Sequence, residues 1–143
     1  MDSPTASAVQ KPGRETTVRE VMRPAVTTVE RHAHLAAAAF LMRRAKDTAI
    51  VVTTNDGRRP IAIITDTDIT DVVADGRDVN DVRIEELIGP DPMTVQSNTA
   101  VKEAAEMMLS ARIHHLPVVD NDDLVGMIDI SDACRSLLGS TRG

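Results

Sequence analysis

Two short stretches of this 143-residue chain place side chains capable of chemistry at the end of an apolar run. In the first, Ile61-Ala62-Ile63-Ile64 stops at Thr65-Asp66-Thr67-Asp68, and a helical pattern follows. In the second, Leu124-Val125-Gly126-Met127-Ile128 stops at Asp129, with Ser131 and Asp132 close behind. A buried strand ending in Thr and Asp sets hydroxyls and a carboxylate just past the strand end. Open α/β layers hold small ligands there. A third cluster, Arg112-Ile113-His114-His115, is a basic run at a strand start. His114 and His115 with Asp129 and Asp132 have the donor types of a metal site. Adjacent strand residues point to opposite faces, so both imidazoles do not readily join one ion, and no metal site is expected. No Ser/His/Asp, P-loop or GxGxxG arrangement occurs, so no catalytic residue is assigned and the chain is not expected to be an enzyme.

The elements that must position these residues come in two similar series. Thr17-Val18-Arg19-Glu20 has the capping-box pattern and opens a short helix to Met22, which Pro24 ends. A strand follows at Val26–Val29. Leu35, Ala38, Ala39 and Met42 share one helical face. Arg43, Arg44 and Lys46 gather at the C-terminal end of that helix. Strands at Ala49–Thr53 and Pro60–Thr65 flank an Asn55-Asp56-Gly57 turn. A helix from Asp68 to about Ala74 closes the series, and residues 75–82 form a polar connector. The order then restarts: a short helix Ile84–Ile88, a strand Met93–Val95, and a helix with Thr99 as N-cap and Val101, Ala104, Ala105 and Met108 on one face. Strands His115–Val119 and Leu124–Asp129 and a last helix from about Ser131 to Leu138 complete it.

Val29 and Val95, Leu35 and Val101, Ala39 and Ala105, and Met42 and Met108 are each 66 positions apart. Thr65 and Asp129 are 64 apart, because the first hairpin turn holds two extra residues around Arg58-Arg59. A constant offset through strand and helix marks a tandem repeat. The expected fold is α+β: two β-α-β-β-α repeats, each with a short leading helix, at 16–74 and 83–138, packed about a pseudo-twofold axis. A unit of this size is marginal alone, whereas two can cover each other's sheets. Residues 1–15 have little to bury and read as a disordered tail, and 139–143 as a fraying C-terminal tail.

Phe40 is the only aromatic residue, so the core must be aliphatic, and the base-stacking class of nucleic-acid binder loses support. A net charge of −6 also disfavours a phosphate-backbone binder. Cys134 is the single cysteine, which excludes an internal disulfide, and it reads as a buried filler. No apolar run reaches the ~18–20 residues of a membrane span, and the start carries no signal-peptide pattern. No membrane association is expected, and the simplest location is the cytoplasm.

The doubled order resembles a tandem cystathionine-β-synthase (CBS) domain pair over about Thr17 to Leu138. The resemblance is carried by Val21-Met22-Arg23-Pro24 and Ala62–Ile69 in the first copy, and by Arg112–Asp120 and Gly126–Asp132 in the second. It implies a stand-alone regulatory module that binds an adenosine-containing ligand (AMP, ADP, ATP, NAD or S-adenosylmethionine) between its repeats and pairs into a homodimer, with no obligatory cofactor. The other reading is a ligand-free dimerisation or interaction module acting through a partner protein. The family's signature of two apolar residues, Thr or Ser, two residues, then Asp is intact at Thr65, Thr67 and Asp68. Asp68 would then accept from a ribose diol and the Thr hydroxyls would serve a phosphate. Equally, Asp68 or Thr67 could cap the following helix, and both roles can coexist. The phosphate needs a cation, for which Arg43, Arg44 and Lys46 are candidates, although a solvated helix end is the favoured reading of those three.

The second cleft, with His114, His115, Asp129, Ser131 and Asp132, reads as degenerate. Asp129 stands in the Thr position. Two like charges at ~4 Å in an effective dielectric of ~20 cost about 4 kcal/mol, more than one or two net hydrogen bonds return. The cleft is then empty, takes an uncharged adenosine moiety, or pairs Asp129 with His114 or His115. Val101, Met107, Met108, Leu41 and Met42 offer the apolar surface expected to form the dimer.

Overall fold

The computed structural model describes residues 15–24, 26–89 and 92–141. The expected N-terminal tail lies outside the described residues apart from Glu15. The elements are α1 (Val18–Val21), β1 (Thr28–Glu30), α2 (Leu35–Ala45), β2 (Ala49–Thr53), β3 (Pro60–Thr65) and α3 (Asp66–Ala74). A 3-10 helix (Ile84–Leu87) leads into β4 (Val95–Gln96), α4 (Val101–Ala111), β5 (His115–Asp120), β6 (Asp123–Asp129) and α5 (Ile130–Thr141). Two three-stranded sheets result, in the orders β1-β2-β3 and β4-β5-β6. In each, the first two strands are parallel and the last two antiparallel. The fold is α+β and doubled. The offset of 66 persists in detail: Lys46 and Arg112, 66 positions apart, both take left-handed backbone after their helices, with φ of 56° and 58°.

Several boundaries differ from expectation: β1 runs Thr28–Glu30 and not from Val26, β4 runs Val95–Gln96 and not from Met93, and α3 starts at Asp66 and not at Asp68. The N-cap of α4 is Ala100, because the Thr99 carbonyl instead accepts the Val18 N–H (2.8 Å). The last helix continues to Thr141 and does not fray at Gly139.

The strand β2 is buried at all five positions, so it reads as an unbroken apolar run. Alternation along the strand sends its side chains to two places. Ile50 and Val52 join Leu35, Ala38, Met42, Ile64 and Val72 under the helices of the first repeat. Ala49 and Val51 face the other way, against Met127 and Leu124 of the second repeat. This small cluster holds the two sheets together.

The leading helices are exchanged between repeats. Val18 of α1 is fully buried among Val95, Val101, Ala104, Met108, Leu116 and Ile128 of the second repeat. Ile84 of the 3-10 helix is fully buried in the first repeat's core with Val29, Leu35, Ile50 and Ile64. The backbone repeats the exchange: Arg19 N–H donates to Ser97 O (2.9 Å), and Glu85 N–H to Arg31 O (2.9 Å). Each fully buried Val or Ile contributes roughly 1.5–3 kcal/mol. The two cores are therefore not contained within residues 16–74 and 83–138.

The burial of four residues differs from expectation. Val101, Met108 and Met42 are inside the core and offer no surface, since the shared face of each helix points at its own sheet. The exposed large apolar residues of these two helices are Phe40 (61%) and Leu109 (68%). Cys134 is exposed, on the outward side of α5 from buried Ala133.

Candidate functional site

The residues Thr65 to Asp68 turn β3 into α3. Thr65 is the N-cap, and it forms a reciprocal box with Asp68. Thr65 N–H and Oγ1 both donate to Asp68 Oδ2 (2.8 and 3.2 Å), and Asp68 N–H donates to Thr65 Oγ1 (3.4 Å). The capping role is thus real. It uses one carboxylate oxygen and leaves Oδ1 of Asp68 without a hydrogen bond among the described residues. Thr67 is exposed in the first turn of α3.

These residues line a cleft of about 840 Å³, within the range of small-molecule sites. Its other wall comes from the second repeat: Arg112, Ile113, His114 and His115, at the entry to β5. Apolar lining is supplied by Ala62, Ile63, Leu87 and Met93, and Gly89 lies at the edge. The exchanged 3-10 helix is what brings Leu87 and Gly89 there. Arg43, Arg44 and Lys46 are exposed and do not line the cleft. The cation among the lining residues is Arg112, from the basic run 112–115.

The group assigned to one degenerate cleft is therefore divided. His114 and His115 sit with Thr65–Asp68, because the strand entry of one repeat faces the signature turn of the other. Asp129 and Asp132 lie elsewhere, under Arg23. Arg23 Nη2 is 3.1 Å from Asp129 Oδ2, Nε is 3.5 Å from Asp132 Oδ2, and Nη1 is 3.4 Å from Asp47 Oδ2. Asp129 caps α5 by accepting the Asp132 N–H (2.7 Å). Its charge is thus paired with a guanidinium, and the like-charge repulsion expected from the sequence is offset there. Ser131 is exposed. Among the described residues no group of three or more His, Cys, Asp or Glu could hold a metal ion.

His115 connects the two regions. Its register partner across the sheet is Asp129, and its Nε2 is 3.4 Å from Thr48 Oγ1 in the cleft. Burial pushes its pKa below the usual value near 6.5. Asp129 and Asp47 oppose that, while His114 and Arg23 add to it. The imidazole is therefore neutral at neutral pH. As pH falls through 6.5, the unfolded chain takes up this proton before the folded one does, so stability from His115 is complete above pH 6.5 and is lost below it. Urea midpoints measured from pH 7.5 to 5.5 should fall for the wild type, and less steeply for His115→Gln. Parallel pH profiles would show that His115 is not the cause.

Arg23 and the signature were visible as residue types. What the sequence did not signal is that Arg23 belongs with Asp129 and Asp132, 106 and 109 positions away.

The family model for the CBS domain matches this chain twice, at residues 18–75 and 84–139. The chain belongs to the CBS domain family. Hypoxic response protein 1 of Mycobacterium tuberculosis is 32% identical over 123 residues, covering 85% of each chain. Among solved structures, a CBS domain protein from Pyrobaculum aerophilum complexed with AMP superposes with a TM-score of 0.80 at 27% identity, covering 90% of this chain and 100% of that one. Hypoxic response protein I with two coordinated zinc ions gives 0.74 at 30% identity, covering 84% and 98%. This CBS pair has no helix, among the described residues, long and apolar enough to cross a membrane.

Proposed function

We propose that this CBS pair is a regulatory, non-catalytic sensor that takes an adenosine-containing ligand in the cleft at Thr65–Asp68, as a homodimer in the cytoplasm. The observation that carries the reading is the meeting of two half-sites. The Thr65, Thr67 and Asp68 turn comes from one repeat, and Arg112, His114 and His115 come from the other. A ribose diol suits Asp68 Oδ1, the acceptor that capping leaves over. An α-phosphate suits the Thr67 hydroxyl and the N-terminus of α3, since the Thr65 hydroxyl already donates to Asp68, with the guanidinium of Arg112 on the other wall. An adenine suits the apolar wall of Ala62, Ile63 and Met93. The AMP held by the Pyrobaculum relative supports the ligand class. Phe40 and Leu109 are exposed on α2 and α4 and support self-association through those helices.

Native mass spectrometry of freshly purified protein tests assembly and ligand together. The expected species is twice the 15.4 kDa chain, carrying or accepting AMP, ADP, ATP, NAD or S-adenosylmethionine. A ligand at 100 times its Kd stabilises by about 2.7 kcal/mol, a melting shift on the order of 5–10 °C for a domain of this size. An external dye or calorimetry reads it, because the chain has no Trp or Tyr. If none of the five ligands shifts the melting point and none co-purifies, the ligand-free interaction module replaces this reading. A monomer at high concentration removes the homodimer from it.

A further inference from the structure

The two repeats match almost bond for bond, so a place where they do not match is informative. The isolated bridge Thr17↔Ala100 has its repeat counterpart in His34↔Arg83. The third bridge, Arg23↔Met127, has none among the described residues. By the offsets of 66 and 64, its counterpart would join Gly89 to Ile63, and those two residues line the open cleft. By the same offsets, Asp129 and Asp132 are the counterparts of Thr65 and Asp68, and Asp47 is that of Ile113. Arg23 touches Asp129, Asp132 and Asp47. It therefore lies in the second cleft where a ligand would lie in the first.

We infer that Arg23 is a built-in occupant of the second inter-repeat cleft, and that Arg23 against Gly89 sets how many ligands one chain takes. The backbone of Arg23 is fixed on β6 by two hydrogen bonds with Met127 (2.8 and 3.0 Å). Its guanidinium reaches three carboxylates that would otherwise crowd an empty mouth. Asp132 Oδ2 is shut off from solvent and accepts no hydrogen bond, with Arg23 Nε as its charge partner. That oxygen belongs to the repeat counterpart of the Asp68 carboxylate proposed to take the ribose diol. At Gly89 the first cleft has no side chain, and a Cβ there would meet nothing within 4 Å.

The inference takes its probe from the adenosine reading of the first cleft. Equilibrium dialysis with adenosine counts molecules bound per chain. Adenosine carries no phosphate for Asp47 to repel. The double variant Arg23→Gly/Asp129→Thr should bind one adenosine more than the wild type, and adding Asp132→Ala should remove the extra one. Asp129→Thr keeps a helix cap, as Thr65 does in the first repeat. Arg23→Lys, which keeps a cation on a long stem, should leave the wild-type count. A folded double variant with the wild-type count overturns the inference. Should the double variant fail to fold, Arg23→Gly alone must show the gain, and the same failure there overturns it. A wild-type count of zero defeats the ligand reading of the first cleft separately. A gain of one in the variant would still establish Arg23 as the occupant of the second.

Discussion

Asp68→Ala is expected to abolish the ligand-induced melting shift and to lower the ligand-free melting point as well. The two effects have different causes. The carboxylate accepts the Thr65 N–H at 2.8 Å, so truncation removes half of the α3 capping box. Loss of a cap costs about 1 kcal/mol, roughly 2–4 °C here. The proposed diol contact is charge-assisted, and such bonds contribute about 1.5–3 kcal/mol each. Losing two weakens binding on the order of 10²–10⁴-fold. Asp68→Asn separates the terms. Its carbonyl oxygen can still take the Thr65 N–H, so most of the ligand-free stability returns, while the charge that holds the diol does not. Calorimetry with and without ligand reads both. Binding that survives Asp68→Ala unchanged would place the ligand elsewhere.

Gly126→Val should be the most damaging single change outside the aliphatic core. A Cβ at Gly126 would lie 2.6 Å from Met22 Sδ and 2.8 Å from the Arg23 carbonyl oxygen. The Met22 thioether can swing aside, but the Arg23 carbonyl is held by Met127 and cannot move without breaking that pairing. Overpacking against fixed backbone costs on the order of 3 kcal/mol or more, a fall of about 6–12 °C or more. The damage should concentrate where α1 meets the second repeat. Amide exchange of Val18, Arg19 and Arg23 should accelerate more than that of Ile50 or Val52 in β2. Uniform acceleration would mean that the segment is not the weak joint.

The contrast between Gly126 and Asp68 shows what could be read from the chain alone. The period of Leu35, Ala38 and Met42 reports that a face is buried, and it is. The same period gives no hint of how full the core already is. Val101, Met108 and Met42 therefore read as surplus surface from spacing alone and are buried, whereas Cys134 reads as core and is exposed. Repeat spacing placed β2, β3, β5 and β6 within a residue at either end, because alternation and turn residues act locally. It could not show that Val18 serves the second repeat and Ile84 the first. Periodicity names the buried side chain and not its partner. The same gap hid the cleft: the signature at Thr65–Asp68 and the basic run at Arg112–His115 were both recognisable, but their meeting depends on how the two repeats face each other. Arg23 was legible only as part of a short motif, since its three carboxylates come from two other stretches of chain.

The exchanged leading helices also govern the order in which a growing chain can become whole. α1 leaves the ribosome before the groups that receive it: the carbonyls of Ser97 and Thr99 and the side chain of Leu116 come about 80–100 residues later. At ~5–20 residues per second that delay is on the order of 5–20 s. Through that interval Val18 has no pocket, and the sheet face at Ala49 and Val51 has nothing to lie against. The first repeat also lacks Ile84 until the connector has passed. The helix-side core of the first repeat can close once Ile84 has emerged, but its sheet face and Val18 stay open until the second repeat is made, so closure between the repeats is a late event. A nascent chain halted near the connector would show all three apolar surfaces at once, the profile of a client for a chaperone that holds unfolded segments.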